Sequence, residues 1–204
     1  MTARVSAIDG PAGSGKSTVA MALAKRLNWS FLDTGAMYRA VTAEALDKGI
    51  PVTDDDALSI IAAIANIETI PRVLINGRDV TEIIRLPEIN RAVSAVASIP
   101  AVREQMVQRQ RQFAEDQPVG TVVEGRDIST VVFPTATLKV YLDADIGERA
   151  KRRGVENELE IASRDMADST RAASPLKQDP DAVFINTTAM TVDEVVEAIA
   201  SCLN

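Results

Sequence analysis

The sequence predicts an α/β fold in which a five-stranded parallel sheet is covered by helices on both faces. Three observations lead to this prediction. Short apolar runs of strand length alternate with segments of helical spacing. A glycine-rich loop joins the first such run to the first such helix. The chain has 204 residues, the size of one domain, and no apolar run approaches the ~20 residues of a membrane span.

The order of the elements follows from local patterns. Apolar spacing predicts the first two helices, with Gly49 at the C-cap of the second, and Pro87 and Pro100 favour the first turns of two more. A strongly basic helix follows the fourth strand, and an amphipathic helix starts at Val192. The predicted strands cover residues 5–9, 30–32, 121–124, 138–142 and 182–185, and the helices include 16–27, 36–48, 88–98 and 101–115.

The segment 51–86 differs in character from the alternating pattern. Asp54, Asp55 and Asp56 offer N-caps to a short apolar helix. Asn76-Gly77 between apolar runs predicts a β-hairpin. An antiparallel hairpin between βα units indicates an insertion into the main fold.

The composition excludes several kinds of chemistry. The chain has no histidine, which rules out catalytic triads with histidine, a histidine general base and histidine-ligated zinc. The single cysteine, Cys202, rules out an intramolecular disulfide and fits a reducing compartment. The net charge of −7 argues against a nucleic-acid partner. Because the N-terminus lacks an apolar signal region, we expect a cytoplasmic protein with no membrane partner.

The strongest chemical signal is residues 10–17, GPAGSGKS, which match the phosphate-loop pattern G-x-x-x-x-G-K-[ST] between a strand and a helix. The backbone N–H groups of such a loop form an anion-binding nest at the positive end of the helix. We expect Lys16 to reach the β- and γ-phosphates of a nucleotide and the Ser17 hydroxyl to bind Mg²⁺.

A phosphate loop leaves several functions open. The Asn-Lys-x-Asp pattern that specifies guanine is absent, which disfavours a GTPase switch. Asp143, after the fourth strand, is either a carboxylate that helps to bind Mg²⁺ or a solvated strand end. A kinase for another small molecule (UMP, shikimate or dephospho-coenzyme A) and a nucleotide-dependent switch without phosphoryl transfer are the alternatives.

A second group of residues favours transfer to a phosphorylated acceptor. Asp33 to Arg39 follows the second strand, and Gly125-Arg126-Asp127 ends the third, at the sheet edge where α/β folds bind ligands. Arg164, Asp168 and Arg171 form a third set. Arginines from three segments suit a phosphate that is gripped through bidentate hydrogen bonds.

These segments resemble the bacterial cytidylate (CMP) kinases, within the P-loop nucleoside monophosphate (NMP) kinases. The resemblance extends over the whole chain. It is carried by residues 33–39 (DTGAMYR), 76–81 (NGRDVT), 84–85 (IR), 124–134 (EGRDISTVVFP) and 168–177 (DSTRAASPLK).

The resemblance implies a single kinase domain over residues 1–204, with a mobile lid. Its core would cover residues 1–35, 117–148 and 172–204. The NMP-binding lobe, which contains the hairpin, would cover 36–116, and a short lid 149–171. The chain departs from the family in a shorter segment between Arg153 and Arg164 and a shorter segment before the hairpin, and in Ser129, where the family more often has glycine.

The resemblance also implies roles for individual residues. Lys16, Arg126 and Arg171 would be catalytic, and Ser17 would hold Mg²⁺, with Asp33 acting through water. ATP would be bound by Gly10, Pro11, Ala12, Gly13, Ser14, Gly15, Lys16, Ser17 and Thr18. CMP would be bound through its phosphate by Arg39, Arg126 and Arg171, near Thr34; through cytosine by Ser94, Arg103 and Asp127; and through the sugar by Arg164 and Asp168. The partners would be ATP and CMP or dCMP, and the enzyme would be a monomer.

Overall fold

The computed structural model describes residues 4–154 and 157–203. Residues 1–3, 155, 156 and 204, which belong to the core and lid segments expected above, lie outside the described ones. The chain divides into two compact units: one comprises Met1–Leu32 and Phe113–Asn204, the other Asp33–Gln112. We call them the sheet unit and the hairpin unit.

Strands and helices alternate along much of the chain, as the sequence predicts. A 3₁₀ turn at Ile83–Arg85 and a π-helical turn at Ile128–Val132 complete the regular structure of the described residues. The elements in chain order are β1 (Val5–Asp9), α1 (Lys16–Leu27), β2 (Ser30–Asp33), α2 (Thr34–Asp47), α3 (Asp55–Ile64), β3 (Ile67–Glu68), β4 (Leu74–Ile75), β5 (Arg78–Asp79), α4 (Pro87–Val96), α5 (Pro100–Glu115), β6 (Thr121–Gly125), β7 (Leu138–Asp143), α6 (Ile146–Arg153), α7 (Glu158–Thr170), β8 (Val183–Asn186) and α8 (Val192–Ser201).

The larger sheet has five strands in the order β2-β6-β1-β7-β8. β1 pairs in parallel with both β6 and β7, and β7 pairs in parallel with β8, which confirms the predicted parallel sheet. Asp9, the last residue of β1, lies opposite Gly125, the last residue of β6. The loops that follow these two strands therefore leave the same edge of the sheet at the same level.

The core of the sheet unit consists of aliphatic side chains. Ile8 and Val122 from the sheet pack with Leu23 of α1 and Ile199 of α8, and none of these side chains reaches solvent. Each such burial stabilises the fold by about 1.5–3 kcal/mol. The few aromatic residues contribute at the margin: the Trp29 indole packs on the backbone of Gly120, where an added Cβ would lie 2.7 Å from the ring, and the Arg4 guanidinium lies 5.3 Å from the ring centroid.

The hairpin unit confirms the predicted hairpin. Asn76 and Gly77, with φ of 52° and 79°, form the turn between β4 and β5, as a two-residue type I′ turn requires. β3 extends the hairpin to a small sheet in the order β3-β4-β5, which the sequence pattern does not predict. The buried Glu44 of α2 accepts from Arg78 at 3.1 Å and fixes the hairpin against that helix.

Some element boundaries differ from the predicted ones by a few residues. α2 begins at Thr34 rather than residue 36, because Asp33 caps it: its Oδ1 accepts from the backbone N–H of Ala36 at 2.9 Å. The C-cap of α2 is Lys48, and Gly49 follows it with φ of 67°. Pro87 and Pro100 are themselves the first residues of their helices. Within residues 4–154 and 157–203, no helix is long and apolar enough to cross a membrane.

Candidate active site

The phosphate loop joins β1 to α1, where the sequence places it. Two of its glycines are required by close approaches of the backbone. A Cβ at Gly10 would lie 2.0 Å from the carbonyl oxygen of Leu142, and one at Gly13 would lie 2.6 Å from that of Arg149. Both also have positive φ, of 149° and 77°, which disfavours other residues.

Lys16 is buried beneath this loop. Its Nζ donates to the carbonyl oxygen of Pro11 at 2.6 Å and to the Ser14 hydroxyl at 3.4 Å. Burial, together with the nearby charge of Arg126, lowers the pKa of Lys16 to about 7. Its partners within the loop are neutral, so an anion at the loop would stabilise the protonated form.

An ion pair from the segment after β7 braces the same loop. Arg149 of α6 pairs with Asp165 of α7 and donates through NH1 to the carbonyl oxygen of Ala12 at 3.1 Å. Asp165 Oδ1 accepts from the backbone N–H of Ala12 at 3.3 Å. The two side chains thus bind both the carbonyl oxygen and the backbone N–H of Ala12 in the phosphate loop. In the sequence, Arg149 stands out only as part of a basic helix, and no pattern points to Asp165.

Residues suited to Mg²⁺ are few. Ser17 and Thr18 are exposed in the first turn of α1, and a serine hydroxyl is the kind of hard oxygen ligand that Mg²⁺ accepts. Asp33 already uses Oδ1 to cap α2, which leaves Oδ2 for a water molecule. The described part of the chain contains no group of three or more acidic or cysteine side chains that could hold a metal. The donor set therefore fits an ion that keeps most of its water and phosphate ligands.

The second part of the site lies after β6, the strand next to β1. Arg126 donates through Nε to Asp168 Oδ2 of α7 at 2.8 Å, and both side chains are largely buried. Burial alone would raise the pKa of Asp168, but the charge and hydrogen bond of Arg126 outweigh it and hold that pKa below its usual range. Arg126 and Asp168 are therefore both ionised at neutral pH.

Two further predicted residues join this cluster. Arg171 NH2 lies 3.7 Å from Asp127 Oδ1. Arg164 lies one turn before Asp168 on α7, and its positive charge also lowers the pKa of Asp168. The structure thus brings Arg126, Asp127, Arg164, Asp168 and Arg171 together within the sheet unit. This arrangement presents several cations, each with a carboxylate partner or neighbour, at one end of the sheet.

A buried carboxylate links the two parts of the site, and no sequence pattern predicts this link. Asp9, completely buried at the end of β1, accepts from the backbone N–H groups of Ile128 and Ser129, each at 2.8 Å. The Ser129 hydroxyl also donates to Asp9 Oδ2, which gives a structural role to this departure from the family pattern. Burial raises the pKa of Asp9 despite these hydrogen bonds.

The remaining predicted site residues belong to the hairpin unit. Thr34 is buried at the start of α2. Arg39 folds over the first turn of the same helix, where its NH1 would lie 2.8 Å from a Cβ at Gly35. Ser94 is half-buried on α4. Arg103 is buried, donates to the Ala97 carbonyl oxygen at 3.2 Å and lies 5.6 Å from the Tyr38 ring centroid.

Asp143 has a local structural role. Its Oδ1 accepts from the backbone N–H of Ala144 at 2.8 Å, and its side chain is 39% exposed. Arg149 Nε lies 3.8 Å away. These contacts are those of a partly solvated strand end, which was one of the two interpretations that the sequence left open.

Comparisons with known proteins agree on one family. The family model described as cytidylate kinase matches residues 6–204. A cytidylate kinase of Limosilactobacillus reuteri is 47% identical over 97% of this chain and 93% of its own length. One from Geobacillus kaustophilus is 48% identical over 100% of this chain and 98% of its own length.

The solved structures support the fold independently. The crystal structure of a protein from Thermus thermophilus matches over 100% of both chains with a TM-score of 0.55 at 18% identity, a likeness of fold alone. The family follows from the near-complete match to the family model and the high identity of the relatives. The chain therefore belongs to the cytidylate kinase family, which makes it a phosphotransferase.

Proposed function

We propose that this enzyme transfers the γ-phosphoryl group of ATP to CMP, and to dCMP, giving ADP and CDP or dCDP for pyrimidine nucleotide metabolism. The observation that carries the proposal is the register of β1 with β6. It sets a phosphate loop beside a carboxylate-paired arginine cluster at one sheet edge. The membership of the cytidylate kinase family supports the choice of base.

The donor is assigned to residues 10–18. The backbone N–H groups of the loop surround the ATP phosphates, and Lys16 reaches the β- and γ-phosphates. Ser17 would hold Mg²⁺, with Asp33 acting through a water molecule. When bound, Mg²⁺ would neutralise charge on the phosphate oxygens.

The acceptor is assigned to three groups of residues, one for each part of CMP. Arg39, Arg126 and Arg171 bind the CMP phosphate, near Thr34. Ser94, Arg103 and Asp127 recognise cytosine, and Arg164 and Asp168 contact the sugar. Because Arg126 and Arg171 have carboxylate neighbours in the ligand-free chain, the phosphate joins an already ionised network and needs no new charge to be created.

The reaction requires no general base, which accords with the lack of histidine. The second pKa of a phosphate monoester is about 6, so CMP arrives largely as a dianion. One of its oxygens attacks the γ-phosphorus, the bond to the bridging oxygen breaks, and ADP leaves. Lys16, Arg126 and Arg171 stabilise the charge that spreads over the transferring group in a loose transition state.

We further propose that residues 36–116 act as the NMP-binding lobe and 149–171 as the lid. Closure of the lid would exclude water, whose attack would convert transfer into hydrolysis. The acidic net charge fits small-molecule partners and a cytoplasmic enzyme that acts as a monomer without a nucleic-acid or membrane partner.

The test is a coupled assay of ADP release with CMP, dCMP, UMP, AMP, GMP and no acceptor. We expect turnover with CMP and dCMP to exceed that with every other acceptor by at least about tenfold, the factor that 1.4 kcal/mol of discrimination gives. A higher rate with UMP would assign the chain to another acceptor. ATP hydrolysis that CMP does not stimulate would indicate a switch rather than a kinase.

A further inference from the structure

A buried carboxylate in the sheet unit has no part in the proposed chemistry. Asp9 is the last residue of β1, its side chain is inaccessible to solvent, and Gly10 of the phosphate loop follows it directly. Its two oxygens accept three hydrogen bonds: from the backbone N–H groups of Ile128 and Ser129, and from the Ser129 hydroxyl. A carboxylate buried among neutral donors is costly to keep, so its position needs an explanation.

The three hydrogen bonds connect segments 120 residues apart in the sequence. On the β6 side, Ile128 and Ser129 begin the π-helical turn that follows Arg126 and Asp127. The turn satisfies its later N–H groups internally, because Val131 and Val132 both donate to the carbonyl oxygen of Asp127. Asp9 thus takes the first two N–H groups of the turn.

We propose that Asp9 and Ser129 are positioning residues that fix the acceptor-phosphate arginine, Arg126, relative to the phosphate loop. The inference rests on the proposed function. Gly125, the residue before Arg126, pairs with Asp9 in the sheet. After Asp127, the backbone N–H of Ile128 donates to the Asp9 carboxylate. The segment 126–127 is therefore held at both ends by Asp9, the residue that directly precedes the phosphate loop.

The geometry explains why such a tether matters for phosphoryl transfer. Transfer depends on in-line alignment of the acceptor oxygen with the γ-phosphorus, and a misplacement of about 1 Å can cost about 100-fold in rate. Pairing of Arg126 with Asp168 orients its guanidinium relative to α7. The contacts of Asp9, by contrast, tie the peptide after Asp127 directly to the end of β1, where the phosphate loop begins.

The experiment compares Ser129→Ala and Asp9→Asn with two controls. Ser6→Ala removes a buried hydroxyl three residues earlier on β1 that makes no hydrogen bond with the described residues. Val195→Ala, in α8, lowers stability through a cavity in an element that contributes no residue to the tether. Steady-state parameters for ATP and for CMP are measured separately for these four variants and for the double variant Asp9→Asn/Ser129→Ala.

We expect Ser129→Ala to raise the KM for CMP and lower kcat by about three- to tenfold in all, the range that one typical hydrogen bond contributes, with the KM for ATP within twofold. Asp9→Asn should cost more, because one of the two accepting oxygens becomes an NH2 donor that faces a backbone N–H group. In the double variant the effect of Ser129→Ala should vanish, since the hydroxyl acts through Asp9. The controls should lower thermal stability or leave it unchanged without altering the ratio of the two KM values.

Equal losses toward ATP and CMP, or additive effects in the double variant, would overturn the inference and leave a purely structural role.

Amide hydrogen exchange of the ligand-free protein provides a readout that does not depend on the acceptor: exchange over residues 126–132 should accelerate in Ser129→Ala and not in Ser6→Ala. If the wild-type enzyme failed to phosphorylate CMP, the proposed function would fall, while the exchange result would still decide whether the tether exists. Unchanged exchange would refute it. Should Asp9→Asn fail to fold, Ser129→Ala carries the test alone.

Discussion

The two halves of the candidate site hold their buried charges in different ways. Two buried charged residues at the ends of the phosphate loop have neutral hydrogen-bond partners: Lys16 donates to the Pro11 carbonyl oxygen, and Asp9 accepts from backbone N–H groups. After β6, the buried charges are paired with opposite charges, as Arg126 is with Asp168. We call these the donor side and the acceptor side.

The pKa shifts follow this difference. On the donor side burial dominates, so that the pKa of Asp9 is raised and that of Lys16 is lowered to about 7, in the second case with help from Arg126. On the acceptor side, pairing outweighs burial and keeps Asp168 ionised. The donor side should thus respond to pH near neutrality and to the arrival of an anion, whereas the acceptor side is charged in advance.

The largest effect is expected on the donor side. Lys16→Met removes the cation that we propose to contact the transferring group, and it should lower kcat by about 100- to 1000-fold, or ~3–4 kcal/mol, because such charge is needed most in the transition state. The coupled assay measures it, with Lys25→Met at an exposed position of α1 as control. A turnover within threefold of the wild type would remove Lys16 from the catalytic residues.

On the acceptor side, Arg126→Lys keeps the charge but loses the planar fork that pairs with a carboxylate and grips phosphate. We expect the KM for CMP to rise by about tenfold and kcat to fall, with ATP affinity unchanged within twofold. Isothermal titration with each nucleotide separates the two sides. Weaker ATP binding with intact CMP binding would reverse the assignment of donor and acceptor. Arg26→Lys is the control, because Arg26 of α1 forms an exposed ion pair with Glu197 of α8.

The acceptor side also holds the residue expected to select the base. An ionised carboxylate only accepts hydrogen bonds, so Asp127 suits the amino group of cytosine and disfavours the carbonyl of uracil. Asp127→Asn offers a donor to uracil, and the CMP:UMP ratio of kcat/KM should fall by about 10- to 100-fold. If both substrates lost equally, Asp127 would serve only to orient Arg171, which lies 3.7 Å away.

The smallest expected effect is the pH dependence of nucleotide affinity, which should differ between the donor side and the acceptor side. Because the pKa of Lys16 lies near 7 in the ligand-free chain, its proton is lost as pH rises from 7 to 9, and ATP affinity should decline over that range by a few-fold. ATP binding at pH 8 should be accompanied by proton uptake, measured by calorimetry in buffers of different ionisation enthalpy. Lys16→Met should show neither effect. CMP affinity should depend on pH only through the phosphate of CMP itself, near pH 6.

The two sides also make the free energy of unfolding depend on pH in different pH ranges. A lowered lysine pKa means that the unfolded chain binds the extra proton between pH 7 and about 10.5, so Lys16 makes the ligand-free protein more stable as pH rises through that window. Asp168, whose pKa is lowered, stabilises the fold above its unfolded pKa of 3.8 and loses that contribution as the pH falls through its folded value.

Local chemistry made much of the fold predictable. The Asn76-Gly77 turn, the capping residue Asp54 and the two prolines that open α4 and α5 each act within a few residues of their own position. The phosphate loop was equally predictable from the sequence, because its close backbone contacts allow only glycine at certain positions. The resemblance to a known family supplied the site residues that local pattern alone could not assign.

The contacts that escaped prediction join distant parts of the chain. Two such contacts are the hydrogen bond between Ser129 and Asp9, and the hydrogen bonds of Arg149 and Asp165 with Ala12. Both depend on which segments the sheet brings together, and no periodicity in the sequence encodes this arrangement. One signal was available for Asp9, a charged residue at the end of an otherwise apolar strand directly before the loop. The third strand of the small sheet, Ile67–Glu68, is too short to leave a pattern.

The packing of Trp29 has an optical consequence. It is the only tryptophan in the chain, and it lies in the sheet unit with its indole against Gly120 and beneath the Arg4 guanidinium. Its fluorescence therefore reports the loss of structure in that unit alone, whereas far-ultraviolet circular dichroism records the helices of both units. Coincident melting curves from the two signals would mean that the units unfold as one cooperative body; a tryptophan transition that occurs later would mean that the hairpin unit opens first, while the phosphate loop is still folded.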